Sequence, residues 1–89
     1  MEIGQIVVSG AGRDQERLLV ILDFDGATPL VADGKERPLE RPKKKNPKHL
    51  RETGYCLAKE EYRSNKSLKA ALGLIRINMM NSERGHSNV

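Results

Sequence analysis

The chain has 89 residues, 31% of them charged, only three aromatic side chains (Phe24, Tyr55, Tyr62) and a formal charge of +4. That length supports one small domain with a single modest core, and no stretch nears the roughly 20 apolar residues that a membrane-spanning helix needs. Cys56 is the only cysteine, which excludes an internal disulfide, and with His49 and His86 it has no metal-ligand spacing.

The first segment, MEIGQIVV, lacks the basic start and long apolar centre of a signal peptide. Together with the lone thiol, read as inert and buried like most free cysteines, this predicts a reduced cytoplasmic protein without metal or cofactor. QIVVS, RLLVILDFDG and TPLVADG follow as short leucine-rich or β-branched runs, each closed by glycine or a turn-forming residue. This is the pattern of successive strands in a β meander. Residues 10–14 (GAGRD) form the first loop, and the Asp-Gly pairs at 25–26 and 33–34 supply later turns. A fourth short strand is expected around residues 38–40, and the core is expected to contain Ile6, Val8, Leu19, Ile21, Leu30 and Leu50.

Residues 37–51, RPLERPKKKNPKHLR, hold seven Arg or Lys, three Pro and one acid, Glu40. The prolines exclude a helix and predict a stiff edge segment. Charge is unevenly distributed along the chain. Residues 1–34 carry two basic and six acidic side chains, a net of −4, and residues 35–52 carry eight basic and three acidic, a net of +5. A cationic stripe of this kind attracts phosphate backbones or anionic surfaces. The competing reading is a solvated charge run that binds nothing.

From about Leu57 the period changes. Leu68, Ala71, Leu72, Ile75 and Met79 recur at helical spacing, with Ser64 or Asn65 as the cap and Gly73 as a weak point in the middle. Leu74 and Ile77 point away from that stripe. Residues 81–89 are polar and expected to be disordered.

Catalysis is not expected, because the acids fall in turns and strand edges and the two histidines lie far apart. The SGAG of residues 9–12 lacks the lysine and the following helix of a phosphate-binding loop. Binding suits the composition better. With so few aromatics, base stacking is not the main device, whereas a cationic ridge suits phosphates and the shape of folded RNA.

The segment EIGQIVVSGAGRDQERLLVILDFDG resembles a KOW motif, the glycine-centred strand-loop-strand unit of ribosomal proteins and transcription elongation factors. Its continuation, LVADGKERPLERPKKKNPKHL, resembles the small KOW-domain RNA-binding proteins of bacteria, which are similar to large-subunit ribosomal proteins of the L-fourteen-e type. The resemblance rests on Gly4, the 11–14 loop (AGRD), the DGK of 33–35 and the KHL of 48–50, with Glu16 standing where these proteins commonly carry glycine. It implies a mainly β fold, a small SH3-like barrel of about five strands over residues 2–52, with a helical extension over 53–80. It also implies contact with structured, ribosomal RNA, a ribosome- or translation-associated role, and ribosomal proteins as further partners.

On this reading Arg37, Arg41, Lys43, Lys44, Lys45 and Lys48 contact phosphates, with Arg13 and Lys35 extending the surface. His49 stacks on or hydrogen-bonds RNA, or supports Leu50. Gly10 and Gly12 are positions where RNA or another loop approaches the backbone. No membrane or small-molecule substrate is expected. The alternative is a protein-protein adapter docking on a ribosomal, transcription or assembly factor through the barrel or the Leu74 and Ile77 face. Steep salt dependence marks the first reading and its absence the second.

Overall fold

The computed structural model describes residues 1–10 and 17–87, the last six of these through their backbone alone. Five strands form one antiparallel sheet: β1 (Gln5–Ser9), β2 (Arg17–Asp25), β3 (Thr28–Ala32), β4 (Lys43–Lys44) and β5 (Leu50–Cys56). Their order across the sheet is β4-β3-β2-β1-β5, so the last strand returns to pair with the first, and the ladder is open between β4 and β5. Helix α1 (Asn65–Ser87) follows.

The apolar runs become strands because each can be buried on both sides. In β1, which sits between β2 and β5, Ile6, Val7 and Val8 are all buried. Residues directly opposite one another in an antiparallel pair share a face. Ile6 opposes Val20, Val8 opposes Leu18, and between them Val7 opposes Leu19. The sheet therefore separates two apolar clusters. Ile6, Val8, Leu18, Val20 and Ala32 pack with Leu57 and the helical Leu68, Leu72 and Ile75. Val7, Leu19, Ile21, Val31 and Leu50 pack on the opposite face, with Phe24 against them.

The single core expected from the sequence is corrected by this register. Its members are divided between the two faces, and Leu30, opposite Asp23 after an irregularity in β2, is only half-buried.

The β2–β3 hairpin turns at Gly26, whose φ of +63° suits glycine, with Asp25 opposite Thr28. The fourth strand lies at Lys43–Lys44 and not at residues 38–40. Those earlier residues instead make a turn in which the Arg41 N–H donates to the Pro38 carbonyl (3.0 Å). Proline has no N–H to give a ladder, whereas Lys43 and Lys44 can pair with Val31 and Leu30. The sheet also runs past the expected boundary at residue 52, since β5 continues to Cys56, and Cys56 is exposed there rather than buried.

Helix α1 presents the expected stripe to the sheet. Leu68 is fully buried, Leu72 and Ile75 nearly so, and Ala71 and Met79 pack beside them. Ser64 is the cap: the Ser67 N–H donates to Ser64 Oγ and the Ser64 N–H to Ser67 Oγ, both at 3.1 Å. This reciprocal pairing satisfies donors that the first turn leaves open. The helical backbone continues through residues 81–87, which the sequence reading assigns to a disordered tail; no proline interrupts them. No helix among the described residues is long and apolar enough to cross a membrane.

Candidate nucleic-acid interface

The cationic stretch begins at a loop organised by one carboxylate. Asp33 Oδ1 accepts from the N–H groups of Lys35 (2.8 Å) and Arg37 (2.9 Å). The Asp33 and Gly34 N–H groups in turn donate to the Arg37 carbonyl at 2.9 and 3.2 Å. Arg17 Nη1 closes the loop from outside, 3.4 Å from Asp33 Oδ2 and 2.7 Å from Glu36 Oε2. Gly34 has a φ of +82°, and a Cβ there would stand 2.6 Å from the Asn65 carbonyl oxygen. Only glycine lets the loop meet the start of α1 this closely.

Asn65 then ties the next turn to the helix. Its Oδ1 accepts from the Leu39 N–H and its Nδ2 donates to Glu40 Oε1, both at 2.8 Å. Glu40, the only acid of the 37–51 stretch, is thereby directed to the helix start. Beyond it, β4 pairs along the sheet edge, and the Lys45 N–H donates to the Pro29 carbonyl at 3.1 Å. Asn46 caps the 3-10 turn Pro47–His49 by accepting from the Lys48 N–H at 2.9 Å. That turn is held in place where the Gly10 N–H donates to the His49 carbonyl at 2.8 Å. The stretch is thus bonded to α1, β3 and the end of β1 in succession, as a stiff edge segment requires.

Lys35, Arg41, Lys43, Lys44, Lys48 and His49 are exposed, and Arg37 and Lys45 are half-buried. Arg13 and Gly12, together with Glu16, lie outside the described residues. Gly10 is exposed, and the close approach expected at its backbone is made by the 3-10 turn.

The consecutive lysines do not share one face. Lys43 opposes Val31 and Lys44 opposes Leu30, so strand alternation sends them to opposite sides of the sheet. Lys44 falls on the side of Asp23 and Asp25, and its Nζ is 2.6 Å from Asp25 Oδ2. This hydrogen-bonded charge pair holds the Asp25 carboxyl below its ordinary range and raises the Lys44 ammonium above its own. Both groups are largely in solvent, where such a pair contributes little to stability. Its importance is local, since it neutralises one ridge cation.

Four contributors are missing from the sequence-derived set. Arg51 is exposed on β5 just beyond the 3-10 turn and extends the ridge; its position inside the basic run is the signal for it. Asn65 carries no charge and pins the ridge from far along the chain, so no local pattern marks it. Lys69 and Arg76 meet Lys35 and Arg17 around a common cleft only because α1 packs on the sheet. Their separation of i to i+7 on one helix face was available from the sequence.

Among the described residues no group of three or more His, Cys, Asp or Glu side chains is arranged to hold a metal ion. No protein-family model matches the chain, and no curated protein matches it.

Proposed function

We propose that this chain is a non-catalytic RNA-binding protein that grips structured RNA by its phosphates. The ridge of Arg37, Arg41, Lys43, Lys45, Lys48 and Arg51 makes the contacts, with Lys35 and Arg13 extending it and Lys44 recruited when its pair with Asp25 opens. One observation carries the reading: a dense run of cations, most of them exposed, rides on backbone bonded to the sheet and the helix along its length. Immobilising a long side chain on binding costs about 0.5 to 1.5 kcal/mol, and a pinned backbone lowers the further cost of ordering the segment. Lysines supply point charges, and arginines can fork across two phosphate oxygens.

The five antiparallel strands, with the last returning to the first, support the KOW-like, SH3-like barrel reading. With that resemblance the RNA is ribosomal and the role ribosome-associated, in the cytoplasm.

The test compares two triple variants. Four to six phosphate contacts give a log-log salt slope on the order of −3 to −5 for a structured RNA. Lys43→Ala with Lys44→Ala and Lys45→Ala should flatten that slope by about 1 to 2, because Lys44 is paired with Asp25, and should do so for unrelated duplexes alike. The control, Lys59→Ala with Arg63→Ala and Lys66→Ala, removes equal charge from exposed positions beside and within the start of α1. Equal losses in both would overturn the ridge as the site.

The adapter reading has one observation of its own. Leu74, Ile77 and Met80 are 64%, 54% and 52% exposed on the outer side of α1. Docking there would be insensitive to salt and to the ridge variant.

A further inference from the structure

Between the 33–37 loop and α1 lies an open cleft of about 290 Å³, lined among others by Arg17, Lys35, Glu36, Lys69, Gly73 and Arg76. That volume is at the lower limit of ligand pockets, roughly 300 to 1,000 Å³, and suits a phosphoryl group with part of its ester. Four cations line it against two acids, Asp33 and Glu36, a formal balance of +2, and both acids are bonded to Arg17. Among the described residues Lys35 and Lys69 make no ion pair.

The helix side of the cleft has a gap. Lys69, Gly73 and Arg76 stand at i, i+4 and i+7 on one row of α1. Glycine weakens a helix interior, yet a Cβ built on Gly73 would meet nothing within 4 Å. No packing contact demands glycine there, and the space a side chain would take is the cleft itself. Asp33, Lys35 and Glu36 of the loop form the other wall, and a Cβ on Gly34 would come within 3.1 Å of Lys69 Cγ, so the lysine stem lies across the loop.

We propose that this notch is a phosphate subsite, with Lys35 and Lys69 as point charges, Arg76 and Arg17 as hydrogen-bond donors, and Gly73 as the gap that admits the anion. Its ligand chemistry is that of a phosphate ester. If the source is the RNA backbone, the proposal rests on the ridge reading, and the cleft carries the RNA track from the sheet edge onto the helix. If the source is a free phosphate compound, it stands without that reading.

The experiment follows backbone amide shifts of the intact chain during titration with a short RNA duplex and, separately, with sodium phosphate and pyrophosphate. The amides of Lys35, Lys69 and Gly73 should move with the duplex. Lys69→Gln with Arg76→Gln should flatten the RNA salt slope by about 1 to 2. Gly73→Gln, which fills the notch without changing charge, should abolish the shifts at Lys35 and Lys69, whereas Gly73→Ala should keep them. Circular dichroism of each variant should retain the helix signal. Shifts of the same amides with inorganic phosphate in a chain whose ridge variant leaves RNA binding unchanged would support the cleft as a free-phosphate site and reject the ridge. Cleft amides that stay still with every probe, or an unchanged slope in the Lys69 and Arg76 variant while the ridge variant flattens it, would overturn the subsite and leave the ridge intact.

Discussion

Replacing Asn65 with Ala tests whether the helix holds the ridge in place. The substitution removes the acceptor for the half-buried Leu39 N–H and the donor to Glu40. A part-buried donor left without a partner costs about 1 to 3 kcal/mol. The exposed amide-to-carboxylate bond adds little, and alanine in the first turn of a helix regains up to about 0.6 kcal/mol of propensity. The net loss is about 1 to 2 kcal/mol, which at a urea dependence of roughly 1 kcal/mol per molar moves the unfolding midpoint down by about 1 to 2 M. Asn65→Asp keeps the acceptor for Leu39 but sets a carboxylate against Glu40, so combined with Glu40→Gln it should recover most of that loss, which isolates the backbone bond as the cause. RNA affinity should fall in the alanine variant because the ridge must be ordered on binding, but the salt slope should hold because no charge has changed. An unchanged melt together with unchanged affinity would refute the claim that α1 pins the 38–41 turn.

Leu68→Ala empties a fully buried position between α1 and the sheet and should cost about 3 to 5 kcal/mol in a urea melt, whereas the exposed Leu74→Ala should stay within about 0.5 kcal/mol. Gly34→Ala should lose about 1 to 3 kcal/mol in the same assay, since its φ is +82° and its Cβ would meet the Asn65 carbonyl. Asp25→Asn should release Lys44, tighten structured-RNA binding and steepen the salt slope by about 1. Acidification should act in the same direction. The Asp25 carboxyl is held low by Lys44, so the pair is intact above the ordinary carboxylate range and lost as pH falls through the lowered value; a pH series of salt slopes on the parent and the Asn variant should converge only at that acidic end.

What could be read in advance followed from how each element is stabilised. β1, β2 and β3 are buried on both faces, so IVV, LLVI and the TPLVA run announce themselves by composition. The stripe of α1 did the same by its period. β5 was not legible, because in LRETGYC only Leu50 is buried and the strand exists by pairing with β1, which local residues do not encode. β4 was displaced for a related reason: two exposed lysines become a strand only because β3 offers an edge. At the site, three prolines made the stiffness of the 37–51 stretch predictable. The bonds that enforce it were not, since Asn65 acts on Leu39 from 26 residues away and Asp25 reaches Lys44 across a hairpin.

The central claim, that the pinned ridge is the RNA-binding surface, is tested most directly by ultraviolet crosslinking in cells, with the bound RNA sequenced and the crosslinked peptides identified by mass spectrometry. The account predicts structured, ribosomal RNA joined to peptides that span residues 37–51. Crosslinks confined to peptides around Leu74 and Ile77, or recovery of the chain without RNA while it remains bound to another protein, would contradict it.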